Sequence, residues 1–136
     1  MAKYKHRIAD RLLERKILGK GAVLIEGPKW CGKTTTAKQI AKSVLDLGDS
    51  SVLMQSSQMI EFSPKTLLEG ATPRLVDEWQ ALPAIWDSIR SEVDKRGEPS
   101  QFILTGSSVL PEADATIHSG TGRFAHLKMR TMSLYE

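Results

Sequence analysis

The sequence predicts an α/β fold, a mostly parallel sheet layered between helices, and three observations carry that prediction. Ala22-Val23-Leu24-Ile25-Glu26 is a short, nearly continuous apolar run, the pattern of a strand buried on both faces. It leads straight into Gly27-Pro28-Lys29-Trp30-Cys31-Gly32-Lys33-Thr34, which fits the phosphate-binding pattern G-x-x-x-x-G-K-[ST] and is followed by a helical pattern. Further along, residues 73–80 and 101–105 repeat the apolar strand pattern with polar ends, and a helical stripe separates them. Strands alternating with helices in this way build parallel sheets.

The loop has a physical reason at each of its fixed positions. Gly27 and Gly32 lack a Cβ, so the backbone can take turns closed to other residues and approach a phosphate closely. Lys29, Trp30 and Cys31 complete the loop with Pro28, and the whole offers a nest of backbone donors to phosphate oxygens. Lys33 supplies a mobile positive charge for the β- and γ-phosphates, and Thr34 a hydroxyl for Mg²⁺. Thr35 joins the nucleotide-binding set, because the helix that follows points its unpaired N–H groups at the same anion. Ala37, Ile40, Ala41, Val44 and Leu45 recur at i, i+3, i+4, i+7 and i+8, which predicts one amphipathic helix running to a turn at Leu47-Gly48-Asp49. The plain alternative is a Gly/Pro turn joining two elements. Gly, Gly, Lys and Thr in place between a strand and a helix argue against it.

Size and composition set the limits. The 136 residues suit one domain over 1–136, and 40% apolar content is enough for a real core. The formal net charge of +3 does not demand nucleic acid. Much of the excess lies in Lys3, Lys5, Arg7, Arg11, Arg15, Lys16 and Lys20, read first as a solvated helix face and second as a patch for an acidic partner. One cysteine, Cys31, leaves no intrachain disulfide and fits a reducing cytosol. No apolar run is long enough to cross a membrane as a helix, so a cytoplasmic protein is expected.

In chain order, residues 4–18 read as a helix within an N-terminal segment 1–19, with Ile8, Leu12, Leu13 and Ile17 as its apolar stripe and glycines beyond. Ser51-Val52-Leu53-Met54-Gln55 reads as a second strand, and Ser56-Ser57-Gln58 as loop. Ser63-Pro64 starts a short helix that ends near Gly70. Leu82, Ile85, Trp86, Ile89 and Val93 mark another helix, with Gly97 past its end and Trp79 and Trp86 as packing aromatics. Residues 124–129 alternate as a last strand.

The strand in residues 73–80 carries two adjacent acids at its tip. Asp77 is the candidate for holding Mg²⁺, and Glu78 the candidate for orienting and polarising the attacking water. Alone, two acids would merely solvate a strand end; downstream of such a loop they read as functional. At the tip of the strand ending at Thr105, a polar residue can sense the nucleotide. Thr105, Ser107 and Ser108 are candidates, with Ser107 first. Arg123 is a candidate γ-phosphate sensor or a finger toward a neighbouring subunit, with a surface role as the alternative.

Glu-Gly-Pro-Lys-Trp-Cys-Gly-Lys-Thr (26–34), Arg-Leu-Val-Asp-Glu-Trp-Gln (74–80), Phe-Ile-Leu-Thr-Gly-Ser-Ser (102–108), Ser-Gly-Thr-Gly-Arg-Phe (119–124) and the closing Met-Ser-Leu-Tyr-Glu (132–136) resemble one family. It comprises the prokaryotic AAA-superfamily ATP-binding proteins that carry a C-terminal domain of unknown function. The resemblance implies a three-layer P-loop NTPase core with sheet order 5-1-4-3-2, ATP and Mg²⁺ as ligands, and the roles given above for Lys33, Thr34, Asp77 and Glu78. Family members are usually far longer, so the chain resembles their ATPase domain alone, and a lid, readout region or homo-oligomeric partner is expected outside it.

The leading functional reading is ATP binding with slow hydrolysis. The second is a nucleotide-dependent switch or binding module without appreciable turnover. A small-molecule kinase would need an arginine-rich lid, and beyond Gly106 only Arg123 and Arg130 are available. No Asn-Lys-x-Asp motif is present to read guanine. Nucleic acid stays a possible partner that no residue pattern indicates.

Overall fold

Alternation of side chains along each strand decides the architecture. In a computed structural model describing residues 8–28, 32–106 and 124–129, β1 (Ala22–Glu26) sends Ala22 and Leu24 to one face of the sheet and Val23 and Ile25 to the other. All four are fully buried, so both faces of the strand are covered by helices. The same split holds in β3 (Arg74–Asp77), with Val76 opposite Leu75, and in β4 (Phe102–Gly106), with Phe102 and Leu104 opposite Ile103. With β2 (Ser43–Asp46) and β5 (Phe124–Lys128), these strands form one sheet in the order β2-β3-β4-β1-β5, and every pairing is parallel. Read from the other edge this is 5-1-4-3-2, the predicted P-loop NTPase order.

Two helical layers cover the sheet. On one side lie α1 (Ile8–Gly19) and the short α2 (Lys33–Lys38), through Leu13, Ile17 and Ala37. On the other lie α3 (Ser50–Phe62), α4 (Pro64–Leu68) and α5 (Ile85–Arg96). The core of that second side is aromatic. Trp86 packs on Trp79 at 5.0 Å between ring centroids and stacks on Phe124 at 4.6 Å, which ties α5 to edge strand β5. Gly97 ends α5 with φ 63°, the left-handed turn that glycine makes without a Cβ clash. No helix among the described residues is long and apolar enough to cross a membrane.

Three expectations need correction. The helix after the loop stops at Lys38 rather than reaching Leu45: Gln39 and Ile40 donate to Thr36 and Ala37 in tightened i→i−3 bonds, and Lys42 N–H already donates to Pro73 at 2.8 Å. Val44 and Leu45 belong to β2, whose pairing with β3 satisfies their backbone groups. Their helical spacing is coincidental, since Leu45 faces the α3 side while Ala37, Ile40 and Ala41 pack on the α1 side.

Residues 51–58, read as strand and then loop, are helical throughout within α3. Asp49 is the cause: its carboxylate caps the helix by accepting from the N–H groups of Ser51 and Val52. Val52, Leu53 and Ile60 then pack toward the core beside buried Ser56. Bonds from Ser51, side chain and backbone, hold the Asp49 carboxyl below its ordinary 3.8. A depressed folded-state pKa means that the cap stabilises the protein above the unfolded value and loses that contribution as pH falls through the folded one. Asp49→Ala should therefore lower the unfolding temperature at pH 7, and the gap to wild type should close on acidification; a gap independent of pH would show that the carboxylate is not the cap.

In α1, Leu13 and Ile17 are buried as expected, but Ile8 and Leu12 remain 61% and 38% exposed. At roughly 100° per residue, positions 8 and 12 point well away from 13 and 17. Asp10 and Ala9 fill the inner face instead.

Candidate functional site

Parallel strands place their carboxyl ends on one edge of the sheet, and that edge is where open α/β folds bind ligands. Here β1 ends at Glu26, β3 at Asp77 and β4 at Gly106. The chain leaves β1 through Gly27 and Pro28 and re-enters a helix at Lys33, with Gly32 at φ 92° in the left-handed region. Lys33 is buried, and its ammonium donates to the carbonyl oxygens of Gly27 and Pro28, each at 2.8 Å. The charge is thus folded back over the start of the loop. Thr35 is exposed at the start of α2. Lys29, Trp30 and Cys31 lie outside the described residues, as do Ser107, Ser108 and Arg123.

Thr34 and Asp77 come from elements 43 residues apart, yet the Thr34 hydroxyl donates to Asp77 Oδ1 at 2.7 Å. The loop and the acidic strand tip therefore share one cluster, on the same side of the molecule. A second hydroxyl reaches the same oxygen: Thr105, fully buried at the end of β4, donates to Asp77 Oδ1 at 2.5 Å. Thr105 Oγ1 in turn accepts the N–H of Glu78 at 3.2 Å. Of the three polar candidates at this tip, Thr105 lies among the described residues and its contacts are with the acids.

Glu78 sits at φ 57°, ψ 52°, a left-handed conformation that costs a non-glycine residue roughly 1–3 kcal/mol. Surrounding structure retains it. The Ala81 N–H donates to the Glu78 carbonyl at 3.0 Å, closing a 3-10 turn over Trp79–Ala81, and Trp79 is anchored in the core. Gly106 makes room for this turn, because a Cβ there would lie 3.0 Å from Gln80 and 3.1 Å from Trp79 Nε1. On its other flank, a Cβ at Gly48 would meet the Glu78 side chain at 3.7 Å, so the β2–α3 loop borders the same cluster. Beneath the loop, His126 Nδ1 on β5 lies 3.2 Å from Glu26 Oε1.

Two features escaped the sequence reading: the double use of Asp77 Oδ1 and the left-handed turn at Glu78. The signal for the first was a lone polar residue, Thr105, in the otherwise apolar run Phe102-Ile103-Leu104. Nothing local signals the second, since glutamate has no preference for that region.

A glycine loop with its lysine, joined by a threonine to an acidic strand tip within a 5-1-4-3-2 parallel sheet, defines a nucleotide-binding P-loop domain. The family described as "AAA domain" matches residues 19–136, and the chain belongs to it. Two uncharacterized proteins, Rv2008c of Mycobacterium tuberculosis and Mb2031c of Mycobacterium bovis, are each 27% identical over 106 residues, covering 76% of this chain. The match takes in 24% of either protein, so the chain spans about a quarter of the length of these relatives. Among solved structures, that of C. elegans PCH-2 superposes with a TM-score of 0.48 and 14% identity, covering 90% of this chain and 40% of that one.

Proposed function

We propose that this AAA domain binds ATP with Mg²⁺ and hydrolyses it slowly. The bond from Thr34 to Asp77 carries the reading. A hydroxyl has one proton and two lone pairs. With the proton given to Asp77, the lone pairs of Thr34 are left for a cation, and the carboxylate beside it supplies negative charge. This donor set of hydroxyl and carboxylate oxygens suits a hard cation that keeps several waters. Thr34 and Asp77 would hold Mg²⁺, which when bound neutralises charge on the β- and γ-oxygens.

The chain's own groups divide the remaining work. The loop and Lys33 bind the triphosphate, and in doing so the ammonium exchanges the carbonyls of Gly27 and Pro28 for phosphate oxygens. Glu78 orients and polarises the attacking water. Because such catalysis rests on positioning and electrostatics, a missing cation is felt directly. An arginine finger can be worth roughly 10³–10⁵ in rate, so a neighbouring copy or a partner that supplied one would set the working turnover. Output is assigned to that partner or to chain beyond these residues.

Titration calorimetry with Mg-ATP, ATP plus chelator, and Mg-GTP, run beside a phosphate-release assay, tests the proposal. Saturable Mg-ATP binding, weakened by chelator and accompanied by slow phosphate release, is the expected result. Binding without release would convert the domain into a nucleotide-dependent switch, and no binding at millimolar ligand would end the proposal.

A further inference from the structure

The left-handed residue at this site is the one on which hydrolysis is proposed to depend, and its backbone is held at both ends. Glu78 C=O accepts from Ala81, and Glu78 N–H donates to the hydroxyl of Thr105. Chemistry fixes the direction of the second contact. An N–H can only donate and an ionised carboxylate can only accept, so the hydroxyl between Glu78 and Asp77 must take from the first and give to the second. The result is a polarised chain from Glu78 N–H through Thr105 O–H to Asp77 Oδ1, where the Thr34 hydroxyl also ends. Polarised chains of this kind strengthen each link, and Thr105 is fully buried, where water cannot replace it.

We infer that Thr105 is a positioning residue for Glu78: its hydroxyl holds Glu78 in the left-handed turn and thereby sets where the Glu78 carboxylate points relative to Asp77 and Thr34. Thr105 touches no reacting atom and acts through Glu78, with Asp77 Oδ1 fixing the direction of its hydroxyl. Alternatives for the hydroxyl are poor. As the one hydroxyl in an apolar strand, it adds nothing to packing that valine would not supply. The inference also explains why a strained backbone persists at this place: release of the N–H would let the residue relax toward an ordinary region and swing its side chain away. It rests on the proposed hydrolysis for its kinetic consequence and on the fold alone for its backbone consequence.

The test compares Thr105→Val, which keeps shape and burial, with Thr105→Ser, which keeps the hydroxyl. Thr105→Val is expected to leave Mg-ATP affinity and KM within a few-fold of wild type and to lower kcat by about 100-fold, the scale of a small misplacement of a catalytic group. Thr105→Ser should restore most of kcat. In a Glu78→Gln background, Thr105→Val should cost nothing further, because residues acting through one another are non-additive. Independently of turnover, the Glu78 amide should be protected from hydrogen exchange, with left-handed backbone chemical shifts, in wild type and Thr105→Ser, and should lose both in Thr105→Val. Unchanged kcat or an unaltered Glu78 amide in Thr105→Val would overturn the inference, as would serine behaving like valine. Should wild type bind nucleotide without turning it over, hydrolysis fails as the function while the amide readout still decides the role of Thr105.

Discussion

Lys33→Ala is expected to weaken Mg-ATP binding by roughly 10²–10⁴-fold while leaving the unliganded fold intact. The magnitude follows from chemistry already visible in the site. The ammonium is buried and directed at two carbonyl oxygens at 2.8 Å, so it is pre-aimed at the space over the loop before any ligand arrives. Two charge-assisted hydrogen bonds to phosphate at about 1.5–3 kcal/mol each give a loss of about 3–6 kcal/mol, which sets the fold-change. The carbonyls of Gly27 and Pro28 lie in a half-exposed and an exposed residue, so water can satisfy them in the variant. Thermal unfolding separates the two effects. A ligand at a hundred times its dissociation constant stabilises wild type by roughly 2.7 kcal/mol; at the same concentration the variant should gain less than about 0.5 kcal/mol. Equal stabilisation of both proteins would remove the glycine loop as the triphosphate site. Arginine is not a rescue here, because a planar fork cannot reproduce the point charge of a compact rotating ammonium.

Much of this site was legible because its parts are local. Gly27 to Thr34 is one contiguous piece of chemistry, and an apolar run ending in Asp77-Glu78 marks a strand tip wherever it lies. Sheet order followed from the family resemblance rather than from pattern, and it held. Between loop and acids, the short helix announced by Ser63-Pro64 was readable, whereas residues 39–58 were misread for a definable reason. Ala37, Ile40, Ala41, Val44 and Leu45 keep the helical period straight across the break, so their spacing gives no sign of it. Only the partnership of Ser43–Asp46 with Arg74–Asp77, contacts some thirty residues away, makes the second half a strand. Asp49, read as part of a helix-ending turn, is instead the residue that begins α3. Thr105 repeats the lesson at the site itself. Its position at a strand tip was readable, but its bonds to the acids depend on the neighbouring of β3 and β4 and on a backbone conformation at Glu78 that no residue preference announces.

The same left-handed turn shapes what Glu78→Gln should do. Glutamine has nearly the shape of glutamate, pays a similar cost at φ 57°, and leaves the N–H to Thr105 and the C=O from Ala81 untouched. Stability should therefore change little. The amide keeps an acceptor oxygen but has no negative charge, so it can align a water without drawing off its proton. Binding of Mg-ATP, which depends on the loop, Lys33, Thr34 and Asp77, should stay within a few-fold of wild type. Loss of a positioned base lowers a rate by typically 10²–10⁴-fold, and phosphate release by the variant should fall by about that factor. Single-turnover measurements at saturating nucleotide make the comparison clean, since they exclude product release. Equal single-turnover rates in the two proteins would reject Glu78 as the group that activates water. In that case its strained backbone would have to serve binding or signalling, and the variant's unchanged chemistry would direct attention to the neighbouring loop at Gly48.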